Sequence, residues 1–309
     1  MDFTTVIIYI KDLIATVMTL LMMLSPAFGG TGVPYTAEKP DELITSFAVV
    51  SDIHVETNNP ESYGNLYDVL EGIKAGENVD TVIYTGDNVM NGQVLEDVFF
   101  YSAIRAIMPA ENNFVLAGNH DYGNGAEDTD SAKLRQKYLL NNALYLGNKL
   151  ENDYYYRVVD GVYMICLVSE RPDTEDFTMS RKQLDWLEGV LKQAKEAGAP
   201  IIVFNHYPLR YLDIDGTEGA EVDKAELGAL LSDYGVELFI HGHIHDFIDR
   251  NNFYESYGVN CINLCRVTET TDYEAGDGIV VEIYEDEIVV RVRNFIKGEW
   301  DEELRYVYK

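Results

Sequence analysis

The chain has 309 residues, of which 47% are hydrophobic, and its formal net charge at pH 7 is -30. A chain of this length can bury a substantial core in one large domain or in two. The strong negative charge argues against nucleic-acid binding, because the sequence offers no basic surface to neutralise phosphates. We interpret the acidic residues as a solvated surface that favours solubility.

Residues 1–40 differ in composition from the rest of the chain. Leu13 to Leu24 form an apolar run that is short for a membrane span but matches the apolar core of a signal peptide. Counted from Ile7, a longer and interrupted segment also fits an uncleaved membrane anchor. We therefore expect an exported or membrane-anchored protein, with a cytoplasmic protein as the alternative. The segment from Gly29 to Pro40 is interpreted as a linker, and residues 41–309 as a single domain that includes the C-terminal strands.

From Thr45 onward, strand and helix patterns alternate along the chain. Short continuous apolar runs predict buried strands, and apolar residues at helical spacing predict amphipathic helices. The predicted elements, in chain order, are strand Phe47–Ser51, a helix through Leu66–Ile73, strand Thr81–Thr85, helix Asp97–Met108, strand Phe114–Ala117, helix Ala132–Leu140, helix Arg181–Ala197, strand Ile201–Asn205, a helix ending near Tyr234 and strand Glu237–Ile240. This alternation is typical of an α/β protein.

A β-hairpin and a β-rich tail complete the predicted elements. Asp160-Gly161 is a strong two-residue turn signal, and it separates the strand-like segments Tyr154–Val159 and Val162–Val168. The tail from Gly278 to Tyr308 has the alternating pattern of meandering β structure.

Five short strings hold almost all of the histidines. The chain has six, and only His241 lies outside the strings, directly beside the last of them. Histidines gathered in this way beside Asp and Asn residues indicate a metal-binding site. Each string follows the C-terminal end of a predicted strand, so we expect the strings to converge on one edge of one sheet. The strings are Asp52-Ile53-His54, Gly86-Asp87-Asn88, Gly118-Asn119-His120-Asp121, Asn205-His206 and Gly242-His243-Ile244-His245.

Together the strings resemble the signature of the calcineurin-like metallophosphoesterase superfamily, which runs D-x-H, G-D, G-N-H-D/E, H and G-H-x-H. All five parts occur in this order between Phe47 and Asp246. The resemblance implies an α/β fold, a four-layer α/β/β/α sandwich of two mixed β-sheets flanked by helices. In that fold, the hairpin and the C-terminal strands would supply the second sheet. The resemblance also implies a metal-dependent phosphoric ester hydrolase.

The same resemblance assigns ligands to a dinuclear metal centre. Two metals would each have three ligands of their own, and one aspartate would bridge them, since a carboxylate offers two oxygens on a short side chain. A mixed set of His, Asp and Asn suits Mn, Fe, Zn or similar divalent or trivalent ions better than Ca. The implied ligands are Asp52, His54 and His245 for the first metal, Asn119, His206 and His243 for the second, and Asp87 as the bridge.

Two further residues are assigned catalytic roles by the resemblance. His120 would face the substrate and protonate the leaving oxygen, and Asp121 would orient the His120 ring. A structural role for His120 is the alternative. His241 is expected to pack near the ligands or to support them, without binding a metal itself.

The strings also separate branches of the superfamily. Met90 stands where purple acid phosphatases have a tyrosine, and Asp87 is not followed by the V-D-R-G of protein phosphatases. The strings Asn205-His206-Tyr207-Pro208 and Gln183-Leu184-Asp185-Trp186-Leu187 resemble the branch of cyclic-nucleotide phosphodiesterases and small-molecule phosphoesterases. We therefore expect attack on a small or medium phosphoester by a hydroxide held between the metals, with a phosphodiester slightly favoured. A phosphomonoesterase or nucleotidase is one alternative, and a catalytically silent metal-binding module of the same fold is another. The expected partner is a small-molecule phosphoester, the N-terminal segment gives a route to a membrane, and no oligomeric state is predicted.

Overall fold

A computed structural model describes residues 42–76, 79, 81–124, 130–170, 177–211, 222–268 and 275–309. The apolar segment in residues 1–40, interpreted above as a signal peptide or an anchor, lies outside the described residues. Within the described ranges, no helix is both long and apolar enough to span a bilayer.

Twelve strands and five α-helices form the described fold. In chain order, the strands are β1 (Leu43–Val50), β2 (Thr81–Tyr84), β3 (Asn113–Val115), β4 (Tyr155–Val159), β5 (Val162–Cys166), β6 (Ile201–Phe204), β7 (Leu238–His241), β8 (Phe253–Ser256), β9 (Val259–Asn263), β10 (Asp277–Tyr284), β11 (Ile288–Asn294) and β12 (Glu299–Tyr308). The α-helices are α1 (Pro60–Gly76), α2 (Val94–Ile107), α3 (Ser131–Tyr145), α4 (Arg181–Ala197) and α5 (Lys224–Asp233).

The strands form two six-stranded mixed sheets that pack face to face. The first has the order β12-β11-β10-β1-β2-β3, and the second has the order β4-β5-β6-β7-β9-β8. The central core lies between the sheets, where Phe47 of β1 meets Phe204 of β6 edge to face at a centroid distance of 5.8 Å. On its other face the first sheet is covered by α1, α2 and α3, and the second sheet is covered by α4 and α5. This architecture confirms the predicted four-layer α/β/β/α sandwich.

The expectation that the C-terminal strands contribute to the second sheet is wrong. β10 pairs antiparallel with β1, so that Ile279 lies opposite Val49, and β11 and β12 extend the same sheet. The second sheet is built from the hairpin β4–β5 together with β6 to β9. β1 is buried on both faces, and Phe47 to Val50 place apolar side chains on each of them. An open edge along it would leave backbone groups unpaired beside apolar side chains, and β10 satisfies those groups.

Local sequence signals fix several elements where they were expected. Asp160 and Gly161 have φ angles of 48° and 87°, as a two-residue type I′ hairpin turn requires. α4 begins and ends at the predicted residues, because Ser180 accepts a hydrogen bond from the Gln183 backbone at 3.2 Å and Gly198 follows with φ of 64°.

Two helices differ from their predicted bounds. α2 begins three residues before the predicted Asp97, since the Glu96 carboxylate accepts the backbone N–H of Gln93 at 3.1 Å and so caps an earlier start. α3 continues to Tyr145, whose ring stacks on Tyr101 of α2. Tertiary packing therefore extends α3 beyond its own amphipathic pattern.

The strands that carry the five strings belong to both sheets. β1, β2 and β3 run parallel in the first sheet, and β6 and β7 run parallel in the second. The prediction that the five strings converge on one edge of a single sheet is therefore wrong. The two sheets instead bring their carboxyl ends to the same end of the sandwich, where Nδ1 of His206, which follows β6, lies 3.1 Å from the carbonyl oxygen of Thr85, which follows β2. Both sheets consequently contribute ligands to one site.

Candidate metal centre

Five of the seven predicted ligands have left-handed backbone conformations. Their φ angles are 53° at Asp52, 50° at His54, 51° at Asp87, 76° at His243 and 63° at His245. Residues other than glycine rarely adopt this region, and each instance costs about 1–3 kcal/mol and tends to occur at a functional site. The loops are held in place because the N–H of Asp52 donates to the carbonyl of Gly86 at 3.1 Å, and that of His54 to the carbonyl of Asp87 at 2.9 Å. The chain thus turns sharply after each strand and directs these side chains inward.

Four side chains form the first group of donor atoms. Nε2 of His245 lies 3.0 Å from Oδ1 of Asp52 and 3.1 Å from Nε2 of His54. Nε2 of His54 also lies 3.7 Å from Oδ2 of Asp87. Asp52, His54 and Asp87 are fully buried, and His245 is partly exposed. The four atoms surround one point, as the sequence predicted for the first metal.

A second group of donor atoms surrounds Nε2 of His206. This nitrogen lies 3.1 Å from Oδ1 of Asn119, 3.2 Å from Nδ1 of His243 and 3.3 Å from Oδ2 of Asp87. The other ring nitrogen of His206 is 3.1 Å from the carbonyl oxygen of Thr85, which fixes the ring orientation. This is the group predicted for the second metal, and Asp87 belongs to both groups.

The donor atoms fit a pair of metal ions. Ligand atoms bound about 2.0–2.2 Å from one ion lie about 3–3.5 Å apart, which matches most of the separations in both groups. The ring nitrogens of His54 and His245 face each other at 3.1 Å, an arrangement that a shared cation explains better than a direct contact. A set of His, Asp and Asn selects a transition metal or zinc.

The charge distribution of the site also favours cations. Burial alone would raise the pKa of Asp87, but His206 and His54 hold that pKa well below its usual range. Burial would lower the pKa of His206, but Asp87 and Asp52 raise it to about 9. His243 shares its surroundings with His206, and burial together with that neighbour lowers its pKa to about 4. Two buried carboxylates therefore create a strongly negative field that a metal ion can neutralise.

His120 lies beside the donor groups without joining either. Its Nε2 is 4.0 Å from Oδ2 of Asp87, and its side chain is 16% exposed, so the ring borders the open side of the centre. Its backbone N–H donates to Oδ1 of Asp87 at 2.8 Å. The other ring nitrogen, Nδ1, lies 2.7 Å from the carbonyl oxygen of Met90. The position is compatible with the predicted role towards a substrate.

Asp121 does not orient the His120 ring, which corrects the role expected from the resemblance. Its carboxylate accepts the backbone N–H of Gly118 at 2.8 Å and that of Asn88 at 3.2 Å. Burial, with Asp87 nearby, raises the pKa of Asp121 to about 7. The side chain thus joins the two loops that carry Asp87 and Asn119, while the ring contact expected of it is made by a main-chain carbonyl.

Several neighbours of the site carry no recognisable sequence signal. The carbonyls of Thr85 and Met90 hold the rings of His206 and His120, and any residue type can supply a carbonyl. Ser51 donates to Oδ2 of Asp52 at 2.5 Å. Of these three neighbours, only Ser51 could have been found from the sequence, because it directly precedes the ligand Asp52.

His241 is buried away from the donor groups, as expected. Its Nε2 lies 2.7 Å from the hydroxyl of Tyr254, and burial lowers the pKa of His241 to about 3. The exposed Arg210 has its guanidinium carbon 5.9 Å from the Tyr254 ring centroid. His241 therefore connects β7 with β8 through Tyr254.

Gly118→Ala is expected to lower metal content. A Cβ there would lie 2.7 Å from the backbone nitrogen of Asp87 and 2.7 Å from Cδ2 of His206. Overpacking of this kind costs about 1–3 kcal/mol, and its relief requires a ligand to move. Metal per chain after dialysis and the melting temperature report the effect.

Gly189→Ala is the matched control, since no heavy atom lies within 4 Å of its Cβ position in α4. The Gly189→Ala variant should keep its metal and gain up to about 1 kcal/mol of helix stability. Equal metal content in Gly118→Ala and Gly189→Ala would contradict the prediction.

Comparison with known proteins assigns the fold and its site to a family. A family model described as calcineurin-like phosphoesterase matches residues 45–247, which include all seven ligand positions. The chain belongs to the calcineurin-like phosphoesterase family. Among curated proteins, it is similar to "Probable inactive purple acid phosphatase 24" of Arabidopsis thaliana, with 24% identity over 209 residues. That alignment covers 64% of this chain and 33% of the relative, so the chain spans about a third of that protein's length.

Several solved structures of low sequence identity have a similar fold. A dimetal phosphatase from Danio rerio has a TM-score of 0.56 at 16% identity and covers 87% of this chain and all of its own. The purple acid phosphatase PPD1 from yellow lupin has a TM-score of 0.56 at 14% identity and covers 85% of this chain and 53% of its own. GAP50, described as the anchor in the inner membrane complex of Plasmodium, has a TM-score of 0.52 at 18% identity over 86% and 88% of the two chains. At these identities the likeness concerns the fold, and the predicted likeness to the cyclic-nucleotide branch stays a prediction.

Proposed function

We propose that this member of the calcineurin-like phosphoesterase family is a dinuclear metal-dependent hydrolase of small or medium phosphoesters. The observation that carries the proposal is the shared carboxylate, because Asp87 completes a donor group on each side. Two ions bound there would supply Lewis-acid polarisation of a phosphoryl oxygen and a water made acidic enough to attack at neutral pH.

The chain's own residues would divide the remaining work. Asp52 and Asp87 hold negative charge at the buried floor of the centre, and the loops keep both carboxylates fixed by backbone hydrogen bonds. In our proposal, His120 acts with a hydrogen on each ring nitrogen: Nδ1 donates to the Met90 carbonyl, and Nε2 gives its proton to the leaving oxygen as the phosphorus–oxygen bond breaks, which leaves the ring neutral. The ring is suited to this task, since Met90 holds Nδ1 and leaves Nε2 to face the reacting groups.

A phosphodiester is the slightly favoured substrate in this proposal. The segment after Asp87 lacks the arginine with which protein phosphatases extend this motif, so that a doubly charged phosphate monoester would have one cationic partner fewer. The alternative is a phosphomonoesterase or nucleotidase.

The second candidate is a catalytically silent metal-binding module. It is favoured by the curated relative, whose name describes that protein as probably inactive. The complete ligand set and the placement of His120 beside Asp87 support the enzyme instead.

The proposal is tested with the protein loaded with Mn²⁺, Zn²⁺ or Fe²⁺ and assayed on bis(4-nitrophenyl) phosphate and 4-nitrophenyl phosphate. We expect metal-dependent release of 4-nitrophenolate, with kcat/KM higher for the diester. The Asp87→Asn variant, purified in parallel, controls for contaminating phosphatases. Preference for the monoester would move the assignment to a phosphomonoesterase. If neither ester is hydrolysed although both metal sites are filled, the catalytically silent module becomes the supported candidate.

A further inference from the structure

Glu96 is a buried carboxylate that the proposed reaction does not use. It is the third residue of α2 and is fully buried. Among the described residues, no lysine or arginine forms a salt bridge with it, because the nearby Lys137 pairs with Asp97. Buried carboxylates normally have a cationic partner or a compact set of hydrogen-bond donors.

All the donors to Glu96 come from the segment that follows the bridging ligand. Oε2 accepts the backbone N–H of Asn91 at 2.9 Å and that of Gln93 at 3.1 Å, and Oε1 accepts the Asn91 side-chain amide at 2.9 Å. The same segment is held on its other side by Val55, whose carbonyl accepts the N–H of Met90 at 3.0 Å. The carboxylate thus fixes the peptide that joins Met90 to Asn91.

That single peptide connects Glu96 to His120. Its N–H, from Asn91, donates to Glu96, and its C=O, from Met90, lies 2.7 Å from Nδ1 of His120. A carbonyl oxygen only accepts, so Nδ1 carries the hydrogen and donates it. The N–H and C=O of a trans peptide point in opposite directions and lie in one plane. The result is a continuous line of hydrogen bonds from a buried carboxylate, through one peptide, to the ring.

We infer that Glu96 is a positioning residue for His120, acting through the Met90–Asn91 peptide. The inference rests on the function proposed above. Glu96 takes the place that the resemblance assigned to Asp121, since the peptide that it fixes accepts the Nδ1 hydrogen and so determines where Nε2 points. A negative charge at one end of a hydrogen-bonded chain also polarises the bonds beyond it, by about 10–30% per bond.

Glu96 also caps α2, and the test must separate this structural role from the positioning role. Loss of an N-terminal cap costs about 1 kcal/mol of stability. It affects every substrate equally, because it is independent of the leaving group. Loss of the positioning role acts only through His120. The resulting decrease in rate should therefore be larger for a leaving oxygen that depends more on receiving a proton.

The experiment uses Glu96→Gln in the full, metal-loaded chain, with phenyl and 4-nitrophenyl leaving groups on the same phosphoester. Glutamine keeps an acceptor for the Asn91 and Gln93 N–H groups and removes the charge. We expect kcat for the phenyl ester to fall about tenfold, part of the hundredfold or more that a complete general acid supplies. The 4-nitrophenyl ester should change less than about twofold, because its leaving group needs little protonation. In a His120→Ala background, Glu96→Gln should cause no further loss with either ester.

Two controls make the outcome decisive. Asp223→Ala removes the side chain that caps α5, where Asp223 accepts the Glu226 N–H at 2.7 Å, and should lower stability with no dependence on the leaving group. Nitrogen-15 NMR of labelled histidines in the zinc-loaded protein should show Nδ1–H on His120 and a shifted signal in Glu96→Gln. Equal losses with both esters, or a full additional loss in the His120→Ala background, would overturn the inference. A wild-type protein inactive on all esters defeats the proposed function instead, and the NMR signal of His120 then decides the role of Glu96 by itself.

Discussion

Asp87→Asn is expected to reduce hydrolysis by at least about a thousandfold, since the metal centre supplies several kcal/mol of charge stabilisation and each 1.4 kcal/mol is about tenfold. Oδ2 of Asp87 lies 3.3 Å from Nε2 of His206 and 3.7 Å from Nε2 of His54, so that this one side chain serves both donor groups. An amide carries no charge, and when its oxygen keeps the His120 N–H its NH₂ group takes the place of Oδ2, so that it cannot hold two cations. Metal content should fall from two ions per chain to one or fewer, as measured by elemental analysis.

The protein should remain folded in this variant. The amide oxygen can still accept the backbone N–H of His120, which Oδ1 of Asp87 now accepts at 2.8 Å. Asp153→Asn is a matched control, because Asp153 is also buried but accepts from Tyr122 and pairs with Arg135 away from the donor groups. It should lose stability and keep both metals. A dinuclear centre that survives in Asp87→Asn would show that the bridge has been misassigned.

Much of the centre could be predicted from sequence because its chemistry is concentrated in side chains. Histidine is scarce in this chain, and the pattern of His beside Asp or Asn at strand ends is specific. All seven predicted ligands contribute to the two clusters of donor atoms. The ends of α4 and the hairpin turn were equally accessible, since Ser180, Gly198 and Asp160-Gly161 act through local geometry.

The sheet membership of the strands could not be predicted in the same way. β1 and β6 are both short apolar runs that are buried on both faces. An apolar run has no preference for a neighbouring strand, and β10 joins β1 only through a contact between distant parts of the chain. The ligands therefore appeared to lie on one sheet, although two sheets supply them.

The orientation of His120 was inaccessible for a different reason. The contact that holds its ring comes from the main-chain carbonyl of Met90. The side chain that fixes the Met90–Asn91 peptide is Glu96, which lies more than twenty positions before His120 in the sequence. Asp121, directly beside His120, was the natural expectation. The resemblance thus pointed to the wrong carboxylate, and the backbone group that contacts the ring has no sequence signature.

His120→Ala is expected to slow hydrolysis by about a hundredfold or more while both metals stay bound, the usual scale of lost general-acid help. The ring belongs to neither donor group, and the His120 backbone N–H that supports Asp87 remains in the variant. The loss should be greatest for esters with a basic leaving oxygen, which depends on protonation. Parallel measurements of kcat and metal content separate this result from damage to the centre.

Imidazole added to His120→Ala provides the decisive control. The missing ring leaves a partly open space, since the wild-type side chain is 16% exposed, and a free imidazole can enter it and give a proton to the leaving oxygen. We expect partial recovery of kcat that saturates with imidazole concentration. Recovery should be absent in Asp87→Asn, where the metals and not the proton donor are missing. Turnover in His120→Ala equal to that of the wild type would exclude the residue from the chemistry and would favour a water as the proton donor.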